Sequence, residues 1–231
     1  MRLDKFGELA LDFLLPQTCL GCGREGAALC SACAGRMPRI LPPMCLRCGL
    51  PQAPGAACPD CSRLDCSFDG LRSPFRFERL VREAVHQLKY QNLRCIAGAL
   101  AGEMAAYLQE NVMPADVLMP VPLHPKRLRE RGYNQSALLA TELGRIVGLE
   151  VDRVSLIRVA HTAPQARAGS AALRRQNMAG AFECQAKGVR GKKVLLVDDV
   201  ATSGATINGC AIALKRAGAD LVWGLTLARE V

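Results

Sequence analysis

Four CxxC pairs near the start of the chain limit how that part can fold more than any other sequence feature does. Gaps of seven, eleven and nine residues separate successive pairs. A CxxC turn directs two thiolates toward one point, and two such turns complete a tetrahedral zinc site. Because a segment of about 40 residues buries too little apolar area to fold unaided, bound metal would supply the missing stability. The paired cysteines are Cys19, Cys22, Cys30, Cys33, Cys45, Cys48, Cys58 and Cys61.

This pattern predicts two structural zinc ions, each held by four thiolates in a closed site. A disulfide framework is disfavoured because the chain shows no secretory signal, and a dithiol redox centre needs one CxxC rather than four. The simplest arrangement joins neighbouring pairs, the first with the second and the third with the fourth, although the spacing also permits an interleaved one. Isolated cysteines are usually small buried hydrophobes, and no role is assigned to Cys66, Cys95, Cys184 and Cys210.

Length and composition fit one ordinary domain with a small second one. Half of the 231 residues are apolar and only 4% are aromatic, which predicts a mainly aliphatic core. No apolar run approaches the roughly 18 residues that suggest a membrane span. Acidic residues interrupt the N-terminal stretch where a secretion signal needs an apolar region. We therefore expect a cytoplasmic protein without membrane insertion, and the sequence leaves its oligomeric state open.

The net charge of +9 is carried entirely by residues 71–231, because residues 1–70 hold seven basic and seven acidic side chains. A basic surface attracts phosphates. This half of the chain therefore fits a polyphosphate site, a nucleic-acid site or an ordinary basic exterior, and charge alone does not separate these interpretations.

Strand-like and helix-like segments alternate after the cysteine-rich region, which predicts an α/β domain with a mainly parallel sheet flanked by helices. We place an N-terminal helix and the zinc region in residues 1–66, and the α/β domain in residues 67–231. Helices are predicted over residues 1–15, Leu80–Tyr90, Ile96–Gln109, Asn134–Val147, Ala171–Asn177 and Thr206–Ala217. Strands are predicted over Phe68–Phe77, Val117–Met119, Val154–Val159, Lys193–Asp198 and Leu221–Leu227.

The run Val194–Val197 is apolar on both faces, as a central parallel strand requires. Asp198 and Asp199 follow at its carboxyl end, where open α/β sheets bind ligands. Two adjacent carboxylates repel each other and need a partner, such as ribose hydroxyls, a magnesium ion or a nearby cation. Because side chains alternate along a strand, the two carboxylates cannot do the same work. They are our candidate catalytic residues.

A short segment of small and hydroxylated residues comes next and enters a helix. Small residues let the backbone approach an anion closely, and a helix N-terminus offers unpaired N–H groups with a partial positive charge. The segment is neither a Walker loop nor a dinucleotide GxGxxG, and an ordinary N-cap is the simpler alternative. Together with the acidic pair it indicates a ribose phosphate site. Its residues are Ala201, Thr202, Ser203, Gly204, Ala205 and Thr206.

The segment VLLVDDVATSGAT (Val194–Thr206) resembles the signature with which type I phosphoribosyltransferases bind phosphoribosyl pyrophosphate (PRPP). The resemblance covers nearly the whole chain, and the order of its motifs is similar to that of the ComF/GntX family. The other motifs are the CxxC pairs, HQLKY (His86–Tyr90), PVPLHPKRLRERGYNQS (Pro120–Ser136), TAPQ (Thr162–Gln165) and LRRQNMAGAF (Leu173–Phe182).

That resemblance implies a double zinc ribbon joined to a type I phosphoribosyltransferase-like domain. It implies that Asp198 and Asp199 hold the ribose hydroxyls and that Ala201–Thr206 hold the 5′-phosphate. Members of that family are associated with natural transformation, in which imported single-stranded DNA is handled in the cytoplasm. Some members are linked to gluconate metabolism.

Further PRPP-binding residues follow from the same resemblance. Pro120, Val121 and Pro122 end a short strand, where this family of folds places its pyrophosphate loop. Arg131 is favoured among the basic residues that follow, together with Asn134 and Gln135, and the other basic residues fit a solvated turn. Arg174 is assigned near a predicted mobile loop that begins at His161 and would close over the ligand. Weaker candidates are Lys89, Tyr90, Arg175 and Asn177.

These residues support three functional hypotheses. The favoured one is a phosphoribosyltransferase-like competence protein that binds PRPP with magnesium and transfers the phosphoribosyl group to an unknown acceptor. The alternative is a non-catalytic competence factor that binds single-stranded DNA or a protein and retains the PRPP pocket, although few aromatics are present for base stacking. In a third hypothesis, the zinc region covers an acceptor pocket.

Overall fold

The computed structural model describes residues 17–58, 61, 66–90, 95–159, 180–185 and 188–231. The predicted helix over residues 1–15, the loop that begins at His161 and the short helix Ala171–Asn177 lie outside these residues. Within the described residues, no helix combines the length and the apolar character needed to cross a bilayer.

The described helices and strands alternate after a short first helix. The helices are α1 (Ser31–Ala34), α2 (Arg79–Tyr90), α3 (Ile96–Glu110), α4 (Pro125–Arg131), α5 (Gln135–Val147) and α6 (Ala205–Arg216). The strands are β1 (Gly70–Arg72), β2 (Phe75–Arg76), β3 (Val117–Pro120), β4 (Leu156–Arg158), β5 (Phe182–Cys184), β6 (Lys193–Ala201) and β7 (Leu221–Arg229).

A parallel sheet organises the α/β part, with the strand order β1, β7, β6, β3 and with β2 also paired to β7. A long ladder joins β6 to β7 and ends with Ala201 opposite Arg229. β3 pairs with the other edge of β6, where Pro120 lies opposite Val197. β4 and β5 form a separate antiparallel pair. The predicted α/β class with a mainly parallel sheet is confirmed.

Alternate residues of β6 pack on opposite faces of the sheet, as a strand covered on both sides requires. Leu195 and Val197 join a core with α2, α3 and α5. Val194 and Leu196 join a second core with α6 and the β4–β5 pair. All four side chains are at most 1% exposed. The same alternation directs the next two side chains, the aspartates, toward opposite faces.

All five predicted strands have different bounds in the structure, and two of these differences concern more than the ends of a strand or bear on the site. The strand predicted over Phe68–Phe77 consists of β1 and β2, separated by Ser73 and Pro74, and a proline has no N–H for a ladder. The strand predicted to end at Asp198 continues to Ala201, because β7 keeps pairing with it. The aspartates are therefore part of the sheet and share its rigidity.

Helix α4 replaces the solvated basic turn that the sequence suggested. The backbone N–H of Lys126 donates to Nδ1 of His124 at 3.2 Å, which caps the helix. Pro125 occupies the first helical position, where its fixed φ suits the backbone. The basic residues of this segment therefore project from a helix and face different directions.

The cysteine-rich segment packs directly on the α/β part. Cys19 and Cys33 are buried in the core that contains Val81 of α2. Cys48 is buried in the core that contains Leu71 of β1. The domain boundary between residues 66 and 67 stays a prediction, since both cores cross it.

Candidate functional site

Two buried aspartates lie near the carboxyl end of β6. Asp198 is 7% exposed and Asp199 is 3% exposed. Oδ1 of Asp198 accepts hydrogen bonds from Oγ of Ser136 at 2.7 Å and from the backbone N–H of Asp199 at 2.9 Å. Oδ2 of Asp199 lies 2.6 Å from Nζ of Lys89. One carboxylate therefore has a hydroxyl partner and the other a cation, which agrees with their opposite directions along the strand.

Asp198 is less acidic than an ordinary aspartate. Burial disfavours its charged form and the neighbouring charge of Asp199 repels it, so the pKa of Asp198 rises to about 7. The hydrogen bonds from Ser136 and the backbone, and the charge of Lys89, act in the opposite direction. A carboxyl group that titrates near neutral pH in a cleft is a marker of a functional site.

A short turn and a helix N-terminus follow the acidic pair. Ala201 ends β6, so the turn is Thr202–Gly204, while Ala205 and Thr206 begin α6 and do not belong to a loop. Gly204 is the N-cap with a φ of 74°, and glycine has no side chain to cap the helix. Oγ of Ser203 is 3.4 Å from the nitrogen of Ala205, at the long end of the hydrogen-bond range. The start of α6 therefore favours an anion.

A cleft of about 170 Å³ opens beside the acidic pair. Among the described residues, four cations line it: Lys89 from α2, Arg127 and Arg131 from α4, and Arg158 from β4. Four positive charges and two carboxylates make the cleft cationic, which suits a polyanion better than a neutral ligand. The other lining residues are Tyr90, Val121, Pro122, Leu123, Gln135, Ser136, Asp198, Asp199 and Thr206.

Two arginines of the cleft pack against aromatic rings, and the charge of a third repels one of them. Burial and the charge of Arg127 both lower the pKa of Arg158, whose guanidinium lies 5.4 Å from the ring centre of Phe182. The guanidinium of Arg131 lies 5.2 Å from the ring centre of Tyr90 and donates a hydrogen bond to Gln135. An anion bound between these groups would relieve their repulsion.

The eight paired cysteines form two clusters, each from neighbouring CxxC pairs, with all four Sγ atoms within 4.8 Å of one another. A tetrahedral zinc site with bonds of about 2.3 Å separates its sulfurs by about 3.8 Å. The Sγ–Sγ distance is 3.8 Å between Cys22 and Cys30 in the first cluster. In the second cluster the distances are 3.6 Å for Cys45–Cys61 and 3.5 Å for Cys48–Cys58. Both donor sets therefore fit zinc.

A backbone N–H group donates a hydrogen bond to one sulfur of the first cluster. The N–H of Cys30 donates to Sγ of Cys19 at 3.3 Å, and this hydrogen bond contributes most to lowering the pKa of Cys19 to about 6. Because the thiolate is the form that binds metal, this hydrogen bond favours the metal-binding form of Cys19. The pKa of Cys33 in the same cluster, which a hydrogen bond from Arg36 lowers, is raised to about 11 by burial and the other thiols.

Residues 10–62 match the family of double zinc ribbon domains. The DNA utilization protein YhgH of Salmonella typhimurium is 36% identical over 212 residues, which cover 88% of this chain and 91% of that protein. The chain belongs to the YhgH/ComF family. Competence protein F of Haemophilus influenzae is 30% identical over 210 residues, covering 87% of this chain and 90% of that protein. The family inferred from the motif order is confirmed.

Among solved structures, the glutamine PRPP amidotransferase of B. subtilis aligns with a TM-score of 0.38 and 26% identity. The alignment covers 55% of this chain and 25% of that enzyme.

The structure of this YhgH/ComF protein brings many of the predicted PRPP-binding residues together. Asp198, Asp199, Val121, Pro122, Arg131, Gln135 and Thr206 meet at the cleft. Ala201, Thr202, Ser203, Gly204 and Ala205 form the adjoining strand end, turn and helix start. Arg174, Arg175 and Asn177 lie outside the described residues.

Pro120 and Asn134 line a larger neighbouring cavity of about 830 Å³. The side-chain oxygen of Asn134 accepts a hydrogen bond from the backbone N–H of Ser136 at 3.0 Å, and its Nδ2 donates to the carbonyl of Val121 at 2.9 Å. Both ends of this amide thus hold the end of β3 against the start of α5. Asn134 shapes the cleft in this way, and its direct contact with a ligand stays a prediction.

Ser136 and Arg158 line the cleft, and the predicted site residues do not include them. Ser136 lies in the first turn of α5, where its hydroxyl reaches the strand end. Arg158 ends the short strand β4, which lies outside the parallel sheet, so no local sequence signal marked it as a cleft residue. Lys89 is a weak candidate from sequence, because its contact with Asp199 depends on how α2 packs against the sheet.

Proposed function

We propose that this YhgH/ComF protein binds PRPP with magnesium in the charged cleft and acts as a phosphoribosyltransferase-like protein in competence and DNA uptake. The observation that supports it is the buried Asp198–Asp199 pair, which borders a cation-lined cleft and precedes the N-terminus of α6. The names of the relatives, DNA utilization protein and competence protein, support the cellular role. A cytoplasmic location belongs to the same proposal.

Each part of PRPP matches one part of the site. The 5′-phosphate would accept hydrogen bonds from the N–H groups at the start of α6 and from the hydroxyls of Thr202, Ser203 and Thr206. The ribose hydroxyls would donate to Asp198 and Asp199. The diphosphate would lie among the four cations of the cleft, where a guanidinium can bind two phosphate oxygens at once.

The acidic pair also fits a magnesium ion. Magnesium prefers oxygen ligands and is usually bound by one or two carboxylates together with substrate phosphates. Asp198 and Asp199 provide such carboxylates beside the proposed diphosphate position. When bound, the ion would neutralise charge on the leaving group. We further propose zinc as the ion of both cysteine clusters, with a structural role because all four ligands come from the protein.

In the proposed transfer, a nitrogen of the acceptor forms a bond to the anomeric carbon of the ribose. The bond from that carbon to the diphosphate oxygen breaks, the diphosphate leaves with the electron pair, and the nitrogen releases its proton to solvent. The cleft cations stabilise the departing diphosphate, and the aspartates hold the ribose for attack. Positioning and electrostatics therefore supply the acceleration.

Helix α4 allows a matched test of this function and of the alternative, binding of single-stranded DNA. Arg127 and Arg131 line the cleft, whereas Lys126 and Arg129 of the same helix are exposed. Replacing both cleft arginines by alanine should weaken PRPP–magnesium binding at least about 10-fold, since one hydrogen bond to a charged group contributes about 1.5–3 kcal/mol. The Lys126→Ala/Arg129→Ala variant loses the same charge and should keep its affinity. Titration calorimetry measures both, and an equal loss in the two variants would contradict the cleft assignment.

The same two variants distinguish binding of single-stranded DNA from binding of PRPP. Its support is the exposed basic face of α4 and the names of the relatives. Fluorescence anisotropy with a labelled single strand over a salt series should then show binding that weakens with salt, and Lys126→Ala/Arg129→Ala should bind more weakly than wild type. Wild-type protein that shows no salt-sensitive binding at low ionic strength would reject this function.

The raised pKa of Asp198 predicts how binding changes with pH. Ribose and magnesium need the ionised carboxylate, and Asp198 has a pKa of about 7. The affinity for PRPP–magnesium should therefore rise about 10-fold from pH 6 to pH 8. Phosphate groups of the ligand also titrate near pH 6. Asp198→Asn is therefore the control, because its binding changes with pH only through the ligand phosphates. Calorimetry at several pH values measures the difference, and identical pH profiles would contradict a role for Asp198 ionisation.

A further inference from the structure

Three consecutive carbonyl groups attach the second cysteine cluster to the parallel sheet. They belong to Cys45–Gly49, which we call the second knuckle. The carbonyls of Leu46, Arg47 and Cys48 accept hydrogen bonds, in that order, from Nη2 of Arg72 at 2.6 Å, the backbone N–H of Leu71 at 2.8 Å and Nη1 of Arg229 at 2.7 Å.

One N–H group of the second knuckle points to a cluster sulfur, and another closes the turn. The backbone nitrogen of Cys48 lies 3.5 Å from Sγ of Cys45, and the N–H of Gly49 donates to the carbonyl of Cys45 at 2.9 Å. A Cβ on Gly49 would lie 2.5 Å from the carbonyl oxygen of Leu71, so the knuckle backbone is in direct contact with β1. One short turn therefore contacts both a cluster sulfur and the sheet.

Among these three donors, Arg229 depends most on its partners, because it is a charged residue and is only 1% exposed. A buried guanidinium needs hydrogen bonds and an opposite charge. It donates to the carbonyl of Cys48, a member of the second cluster. Four thiolates around a zinc ion carry a formal excess of two negative charges, so the metal-loaded cluster would provide the opposite charge.

The backbone of Arg229 lies beside the Thr202–Gly204 turn. Arg229 pairs with Ala201 in the ladder between β7 and β6. The N–H of Glu230 donates to the carbonyl of Ala201 at 3.0 Å. Ala201 immediately precedes the turn. The second cluster is therefore connected to the turn through the side chain of Arg229 and through its strand pairing with Ala201.

We propose that Arg229 is a positioning residue that couples zinc in the second cluster to the conformation of the Thr202–Gly204 turn. Loss of this zinc frees the second knuckle, weakens its contact with the guanidinium of Arg229 and loosens the end of the β6–β7 ladder. The importance of the turn for phosphate binding rests on the proposed function. The coupling between zinc and turn does not, and it is measured without PRPP.

The test uses the zinc-loaded full chain and two measurements. Zinc release to a chromogenic chelator reports on the clusters, and hydrogen exchange of the peptide that covers Val200–Thr206 reports on the turn. Arg229→Met keeps an unbranched apolar chain as far as the position of Nε and removes the charge and the hydrogen-bond donors. It should accelerate both the release of one of the two zinc ions and the exchange of the turn by roughly 5- to 150-fold, the usual range of coupling between sites. Arg229→Lys keeps the charge but lacks the planar set of guanidinium donors, so both of its rates should fall between those of wild type and Arg229→Met.

Arg36→Met is the matched control, because Nη2 of Arg36 lies 3.2 Å from Sγ of Cys33 in the first cluster. It should leave the exchange of the turn at the wild-type rate. Arg229→Met with wild-type zinc release, or with faster release and an unchanged turn, would overturn the coupling. If Arg229→Met does not fold, Arg229→Lys decides on the same two measurements. Failure of wild-type protein to bind PRPP would count against the proposed function and leave this result standing.

Discussion

Removal of zinc is expected to unfold the cysteine-rich segment and to lower the melting temperature of the whole chain. Zinc binding contributes about 10–16 kcal/mol in small four-ligand sites at neutral pH, as much as the entire stability of a typical domain, about 5–15 kcal/mol. Cys19 and Cys33 are buried against α2, and Cys48 against β1. Unfolding of the segment therefore exposes apolar surface of both cores. Circular dichroism and calorimetry with and without a chelator, in reducing buffer, measure the effect.

Two serine substitutions distinguish the clusters from the other cysteines. Cys48→Ser removes a buried member of the second cluster and should reduce bound zinc from two equivalents to one. Cys95→Ser replaces an exposed cysteine outside both clusters and should change neither zinc content nor melting temperature. A chelated protein that melts at the wild-type temperature would show that metal does not hold this segment together.

The second large effect is expected when both aspartates become asparagines. Asp198→Asn/Asp199→Asn should weaken PRPP–magnesium binding at least about 100-fold, since two charge-assisted contacts of about 1.5–3 kcal/mol each are lost. Asparagine keeps the shape of each side chain and removes the charge that a cation needs. Titration calorimetry measures the loss, with Asp220→Asn, an exposed aspartate beyond α6, as a control that removes one negative charge away from the cleft and should keep its affinity.

The stability of the single variant Asp198→Asn distinguishes loss of binding from misfolding at this position. The pKa of Asp198 is raised in the folded protein, so the folded state holds the proton more tightly than the unfolded state does. The stabilisation from the protonated group is present at acidic pH and lost as the pH rises through about 7. At pH 8, Asp198→Asn should therefore be at least as stable as wild type against urea. A variant that loses both binding and stability at that pH would contradict the separation.

Local sequence patterns anticipated the parts of this site that one segment builds. A run that is apolar on both faces indicated β6, and paired acids after it indicated a ligand site at the sheet edge. The bound of β6 could not be predicted, because Ala201 joins the strand only through its partner on β7. The four CxxC pairs likewise predicted two four-thiol clusters, but only the structure shows which pairs combine.

Contacts between distant segments could not be predicted from the sequence. Lys89 reaches Asp199 because α2 packs on one face of the sheet, and Arg158 reaches the cleft from β4. Neither residue differs locally from an ordinary basic surface residue. Helix α4 was not predicted, because its residues are mainly charged and show no apolar periodicity. Pro125, which follows the capping residue His124, was a signal for the start of a helix. Long-range packing decides which of the many basic residues form the cleft.

A crystal structure of the full chain with PRPP and magnesium tests the central claim most directly. We predict that the 5′-phosphate lies within hydrogen-bond distance of the N–H groups at the start of α6, and that the ribose hydroxyls contact Asp198 and Asp199. The diphosphate should lie among Lys89, Arg127, Arg131 and Arg158. PRPP bound at another place on the chain, or an empty cleft at a saturating ligand concentration, would contradict the account.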